Sequence, residues 1–199
     1  MQLLFATGNQ NKVNEVRAKL GADYQILDLS SLAFKGDLPE THETLWENAK
    51  EKAMFVYENF GRNCFAEDSG LMIDVLNGAP GVYSARYAGS DKSDQKNIEK
   101  VLQEMKGKSN RQAKFMTVIA LVIDYTTYLF EGEVKGEILT SPVGENGFGY
   151  DPIFKPEGFN CSFAELTMEE KIQLSHRSIA TSKMIEFLNE LNQFKPDHD

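Results

Sequence analysis

Two consecutive apolar segments in the middle of the chain restrict its fold more than any other feature. Phe115 to Asp124 is a long β-branched and apolar run, Tyr128 to Ile138 is a more alternating one, and only Tyr125, Thr126 and Thr127 lie between them. That arrangement predicts an antiparallel hairpin, so the chain must be built on a sheet. Further strands are expected over residues 2 to 6, from Tyr24 to Leu29 and from Cys64 to Ala66. Helical patterns fill the intervals. Gln10 to Leu20 is closed by Gly21, and Thr44 to Phe60 opens on a capping box of Thr44 and Glu47 and stops at Gly61. The second of these puts Leu45, Ala49, Ala53, Val56 and Phe60 on one face. Ser93 to Met105 gathers Ile98, Val101, Leu102 and Met105 and ends at Gly107, Thr167 to Leu174 is a short capped helix, and Ile179 to Asn192 is a terminal one. No repeat, low-complexity tract or linker divides these elements, so residues 1–199 are expected to form a single domain.

Charge and cysteine usage exclude several classes of function. With 41% hydrophobic and 26% charged residues the composition is that of an ordinary globular protein. A net charge of −9, a pI of about 4.9 and no basic stripe argue against a nucleic-acid backbone as partner, leaving a small polyanion held by a local cluster of Lys, Arg and metal. Cys64 and Cys161 lie far apart and outside any CxxC spacing, the pattern of unpaired thiols in a reducing compartment. The amino-terminal Met-Gln-Leu-Leu-Phe-Ala has no basic n-region and is too short for a signal sequence, and no apolar run approaches a membrane span. A cytoplasmic protein without a membrane partner is expected.

Four stretches carry candidate chemistry. The Cys64–Ala66 strand runs into Glu67-Asp68-Ser69-Gly70, two acids followed by turn residues; carboxylates leaving a strand end suit a hard cation such as Mg²⁺. The first strand is followed by Thr7-Gly8-Asn9 and then a helix, the geometry that aims backbone N–H groups at an anion. Lys12 in that helix's first turn is unfavourable for the dipole unless it serves a ligand. Neither a P-loop nor a dinucleotide GxGxxG accompanies the turn. Around Gly144, Gly147 and Gly149 the backbone can approach a ligand closely, Phe148 and Tyr150 offer faces for a planar base, and Asp151 offers a carboxylate for a base edge or sugar. Lys171 precedes Ser175-His176-Arg177-Ser178 at the start of the terminal helix, again an odd place for cations. Lys50 and Lys52 lie off the apolar stripe of their helix and are expected on a solvated face unless a phosphate lies beside them. Arg86, in the Asn77-Gly78-Ala79-Pro80-Gly81-Val82-Tyr83-Ser84-Ala85-Arg86-Tyr87 segment, is placed as a wall beside a ligand or at a dimer contact.

Taken together, these blocks resemble the inosine triphosphatase or dITP/XTP pyrophosphatase family. The resemblance rests on Thr7-Gly8-Asn9 with Lys12, Glu47-Asn48-Ala49 with Lys52, Glu67-Asp68-Ser69-Gly70 running on to Gly78-Ala79-Pro80-Gly81-Val82-Tyr83-Ser84-Ala85-Arg86-Tyr87, Phe148-Gly149-Tyr150-Asp151-Pro152-Ile153-Phe154, and Lys171 with Ser175-His176-Arg177, in the family's order over nearly the whole chain. It implies an elongated α/β fold with a mixed sheet, flanking helices and two lobes around a central substrate cleft, a homodimer, and Mg²⁺ as cofactor. The implied reaction hydrolyses non-standard purine nucleoside triphosphates (ITP, dITP, XTP) to monophosphate and pyrophosphate, keeping them out of DNA and RNA. By the same resemblance Thr7, Gly8, Asn9, Gln10, Asn11, Lys12 and Lys52 hold the triphosphate. Asp68 is general base and metal ligand beside Ser69, with Glu40 as a second ligand. Phe148, Gly149, Tyr150, Asp151, Lys171, His176 and Arg177 surround the purine. The chemistry of the residues agrees, because phosphoryl-type transfer asks for charge neutralisation and positioning rather than a covalent nucleophile. Asp68 beside Glu67 is expected to feel like-charge repulsion that a metal offsets. Two rival readings use the same residues: a purine-nucleotide sensor without hydrolysis, and a Mg²⁺-dependent phosphatase releasing orthophosphate.

Overall fold

The computed structural model describes residues 2–20, 24–32, 34 and 36–193. Its strands are β1 (Gln2–Phe5), β2 (Gln25–Asp28), β3 (Cys64–Ile73), β4 (Gln112–Ile123), β5 (Thr126–Ile138) and β6 (Phe154–Pro156). The α-helices are α1 (Gln10–Leu20), α2 (Leu45–Phe60), α3 (Asp94–Glu104), α4 (Met168–Leu174) and α5 (His176–Gln193). One six-stranded sheet runs in the order β2-β1-β3-β4-β5-β6, parallel where β1 meets β2 and β3 and antiparallel from β3 onward. The fold is therefore mixed α/β with flanking helices.

The expected hairpin forms, with a tighter turn than the sequence suggests. Ile123 already pairs with Thr126, and Asp124 and Tyr125 both take positive φ, 47° and 63°. Two left-handed residues between strands match the strands' own twist, which is why the loop closes in two residues. The strand starting at Cys64 departs further from expectation. It does not end at Ala66 but continues through Glu67-Asp68-Ser69-Gly70 to Ile73, paired with β4 from Cys64↔Val122 to Ile73↔Ala113. A central strand with a long apolar partner overrides local turn preference. Gly70 is needed there for space rather than turning, since a side chain would collide with the Gly81 carbonyl.

The helices sit close to their expected bounds. Thr44 Oγ1 accepts from Glu47 N at 3.2 Å to start α2, and Gly61, at φ 60°, stops it. Gly21, the expected stop of α1, lies outside the described residues. α5 begins at His176, three residues before the expected start. Thus His176 and Arg177 lie in the first turn of a helix rather than in the segment before it.

Three apolar clusters pack on this frame. One face of β1, β3 and β4 buries Leu4, Ala66, Val118 and Ala120 against Ala49, Ala53 and Val56 of α2. The opposite face buries Phe5, Phe65, Ile119 and Leu121 against α1 and α5 through Val13, Val16, Ala180 and Met184. Farther along the same long strands, Leu71, Ile73, Ala113 and Phe115 pack with Ile98 and Val101 of α3 and with Ile153, Phe154 and Phe163. Between these cores β3 and β4 carry Glu67, Asp68, Ser69 and Thr117, a polar belt across otherwise apolar strands. That belt is where the chain's buried charge collects.

Candidate active site

Strand geometry separates the two acids. Successive side chains on a strand point to opposite faces, so Glu67 faces α1 and α5 while Asp68 faces α2. Asp68 Oδ1 accepts from Lys52 Nζ at 2.9 Å and Oδ2 from Asn48 Nδ2 at 3.3 Å, both from α2. The same ammonium lies 2.6 Å from Glu40 Oε1, and Arg86 binds the other Glu40 oxygen at 3.1 Å. Lys52 is thus buried between two carboxylates, not on a solvated face. Burial favours its neutral form, but Asp68 and Glu40 outweigh this and raise its pKa. One cation shared by two acids cannot satisfy both equally. Asp68, the more buried acid, is raised from its ordinary value by burial, against Lys52 and Lys12, with Glu40 adding a like-charge push. The like-charge neighbour is therefore Glu40, not the adjacent Glu67.

On the other face a second network spans the chain. Arg177 Nε reaches Glu67 Oε2 at 2.8 Å, its Nη1 binds Glu15 Oε2, and its Nη2 donates to Ser69 Oγ at 3.3 Å. Lys171 Nζ bridges Glu15 at 2.7 Å and Asp151 at 2.5 Å, and Lys12 Nζ closes on Glu67 at 3.0 Å. Burial alone would raise Glu67 and Glu15, but the surrounding cations take both below the ordinary Glu range. Asp151 goes the other way, raised because burial exceeds what Lys171 returns. His176 stacks on Phe115 with centroids 4.7 Å apart, and its Nδ1 has no partner among the described residues. Burial first, then Arg177 and Lys171, push its pKa well below the ordinary His value, so the imidazole is neutral at pH 7.

Two adjoining cavities open beside these networks. One, of about 620 Å³, is lined by Ser69, Phe115, Phe148, Gly149, Tyr150, Asp151, Lys171, His176 and Arg177. The other, of about 1040 Å³, is lined by Thr7, Gly8, Glu40, Lys52, Glu67 and Lys92. Asn9, Lys12 and Ala85 line both, so they form the two ends of one cleft. One end is walled by aromatic rings and buried polar groups, the other by lysines and a glycine turn. Such a division suits a ligand with a flat, hydrogen-bonding head and an anionic tail.

Residues 3–187 match the Ham1 family. The chain belongs to the Ham1 family. It is 48% identical over 187 residues to a protein named dITP/XTP pyrophosphatase from Flavobacterium psychrophilum, covering 94% of this chain and 98% of that one. A relative of the same name from Porphyromonas gingivalis is 44% identical, covering 94% and 97%. Among solved structures, the Ham1 protein of Staphylococcus aureus superposes with a TM-score of 0.87 at 40% identity, over 96% of this chain and 100% of that chain. The Ham1 protein from Coxiella burnetii gives 0.87 at 36%, over 96% and 99%.

In this Ham1 chain most of the expected site residues converge on the cleft, with four corrections. Gln10 and Asn11 do not line either cavity; both are exposed, and Gln10 spends its amide on Asn14. The α1 terminus offers an anion less than strand-turn-helix geometry suggests, because Asn9 Oδ1 already accepts from the Asn11 and Lys12 amides. Tyr150 is buried in the third core with its hydroxyl on the Ser84 carbonyl, a wall and not a free stacking face. Arg177 is 2% exposed and each of its three nitrogens already donates within the protein, so its first role is to tie the network together. Phe148 lies half-buried with Lys171 4.8 Å and Arg177 5.5 Å from its ring centre. Arg86 is a partner of Glu40, which places it beside the cleft. Glu15 and Lys92 were not anticipated. Glu15 lies one and two residues from Val16 and Val13, off their shared face of α1, so the apolar periodicity gave no sign of its burial.

Both cysteines are free. Cys64 is buried with its thiol on the Ala53 carbonyl, and burial pushes its pKa up to about 12, so it is inert.

Proposed function

We propose that this chain hydrolyses ITP, dITP and XTP to the monophosphate and pyrophosphate. The observation that carries the reading is Asp68: a buried carboxylate that lines neither cavity itself but is held by Asn48 and by Lys52, a lysine lining the anionic end of the cleft. A pure binder of triphosphate has no use for a carboxylate there, whereas a hydrolase needs one placed to take the proton of the attacking water. The names carried by the relatives support the substrate class.

The residues divide the work. Lys12 and the Thr7 to Asn9 turn hold the phosphates, and Asp68 takes the proton of the water that attacks phosphorus as pyrophosphate leaves. Lys52 orients Asp68 and keeps Glu40 ionised beside it. Among the described residues no three His, Cys, Asp or Glu side chains converge as a metal group. Glu40 and Asp68, 2.6 and 2.9 Å from one ammonium, still form a hard oxygen pair of the type Mg²⁺ takes together with substrate phosphates. Mg²⁺ held by them would neutralise phosphate charge and acidify the water.

At the other end, hypoxanthine and xanthine present a 6-oxo acceptor where adenine has an amino donor. Lys171, the neutral His176 and the remaining hydrogens of Arg177 are donors, and adenine leaves them unpaired at about 1–3 kcal/mol each. A homodimer, residence in the cytoplasm, and a partner list without nucleic acid or membrane go with this reading as proposals, supported by the family resemblance and the acidic net charge of −9.

The test is to incubate the protein with ITP, XTP and the four common triphosphates plus Mg²⁺ and to assay pyrophosphate separately from phosphate. Pyrophosphate from ITP and XTP, with little from ATP, is expected. Orthophosphate as first product makes the chain a phosphatase, and tight binding without turnover makes it a sensor.

A further inference from the structure

The three lysines at the anionic end of the cleft are not equivalent. Lys52 is held by Glu40 and Asp68, and Lys12 by Glu67. Lys92 lines the same cavity, yet among the described residues it has no carboxylate partner. Carboxylates of Asp37, Glu40 and Glu67 also line this end, so its lysines together do no more than balance its own acids. A triphosphate arriving there meets two cations already neutralised and one that is not.

The turn that presents Lys92 is fixed at several points. Asn97, buried in α3, accepts from Ala88 N at 2.7 Å and donates to the Ala85 carbonyl at 3.1 Å. Asp94, two residues after Lys92, accepts from Gly149 N at 2.7 Å at the other end of the cleft. Lys92 itself sits at φ 52°, the left-handed region a lysine seldom adopts. Backbone of that kind persists where neighbouring structure enforces it, and it is concentrated at ligand clamps.

On this basis we propose that Lys92 is a further triphosphate-binding residue, reaching the outer phosphates from the turn before α3 while the same turn, through Asp94, steadies the base-side loop. The proposal rests on the assignment of this end of the cleft to the phosphates.

The test compares Lys92→Gln, Lys92→Arg and a distant charge control, Lys106→Gln, in the full chain. Binding of inorganic tripolyphosphate and of inosine monophosphate is measured by calorimetry, together with kcat and KM for ITP and XTP. Lys92→Gln is expected to weaken tripolyphosphate about fivefold, the scale of one solvent-accessible ionic contact, and to raise KM for ITP and XTP equally with kcat kept. Affinity for inosine monophosphate stays unchanged, Lys92→Arg recovers most of the loss, and Lys106→Gln matches the parent. Unchanged tripolyphosphate affinity in Lys92→Gln, or an equal loss in Lys106→Gln, overturns the proposal. Because tripolyphosphate binding needs no turnover, that outcome is separate from a failure of the parent protein to release pyrophosphate, which would sink the assigned reaction instead.

Discussion

Asp68 is under opposing demands that can be separated by one substitution. Its raised pKa means that folding favours the protonated acid. The stability it contributes is present below the unfolded Asp value of about 3.9 and is lost as pH rises through the folded value. Ionised Asp68 therefore costs stability at neutral pH, where its chemistry is needed. Asp68→Asn should lower kcat by on the order of 10²-fold or more while the variant's Tm, relative to the parent, improves from pH 4 to pH 7. Normal turnover, or a Tm difference that worsens for the variant as pH rises, would show that Asp68 is not a strained base. Lys52 and Lys12 give different outcomes although both face the phosphates. Lys52→Ala leaves the buried Asp68 without its cation and Glu40 with Arg86 alone, and should cost about 3–5 kcal/mol on top of its loss of activity. Lys12, more exposed, should on replacement by Ala weaken ITP and XTP alike, as a phosphate contact does not see the base. Urea melts and KM values for both substrates distinguish the two lysines.

At the scale of elements, the placement of α5 decides whether the base-side residues meet. Gly132 on β5 makes this possible, since a side chain there would collide with the His176 carbonyl and the Ala180 nitrogen. Gly132→Ala should lift the start of α5 off the sheet, destabilise by about 1–3 kcal/mol and shrink the ITP-to-ATP ratio of kcat/KM. A stable variant with an unchanged ratio would mean the helix start tolerates displacement. Much at this scale was legible: the hairpin came from its β-branched run and α2 from its apolar stripe and cap, because both are signals between near neighbours. The passage of β3 through Glu67-Asp68-Ser69-Gly70 was not, since it depends on β4 fifty residues on, and local composition pointed to a turn. Lys52 looked solvent-facing for a similar reason; its partners Glu40 and Asp68 come from other segments, and no helical periodicity reveals them. The family blocks located the cleft residues without saying that Arg177 would be consumed by Glu15 and Glu67, 162 and 110 positions away.

Across the whole molecule, Glu15 joins α1 to both Lys171 and Arg177, and through them to Asp151 and β3. All five groups of that chain are nearly inaccessible, so none can turn to water when a partner is lost. Glu15→Gln keeps the shape and removes one charge, leaving Lys171 with Asp151 and Arg177 with Glu67. Loss of one member of a buried pair costs about 3–5 kcal/mol, which for a chain of this size lowers Tm by on the order of 10 °C at pH 7. The pH dependence then tests whether charge or packing is responsible. Burial pushes Glu15 up, but Arg177 and Lys171 bring it below its ordinary value, so its stabilisation is complete above the unfolded Glu pKa of about 4.3 and fades as pH falls through the folded value. Asp151 and Asp68 have the opposite sign and partly offset that loss in acid. The Tm gap between parent and Glu15→Gln should therefore be widest near pH 7 and narrow steadily below about pH 4, because the parent's Glu15 is then becoming protonated too. Thermal melts of both proteins from pH 7 to pH 3 read this directly. A gap that stays constant over that range would make Glu15 a packing residue, and the buried network would not be held by its charge.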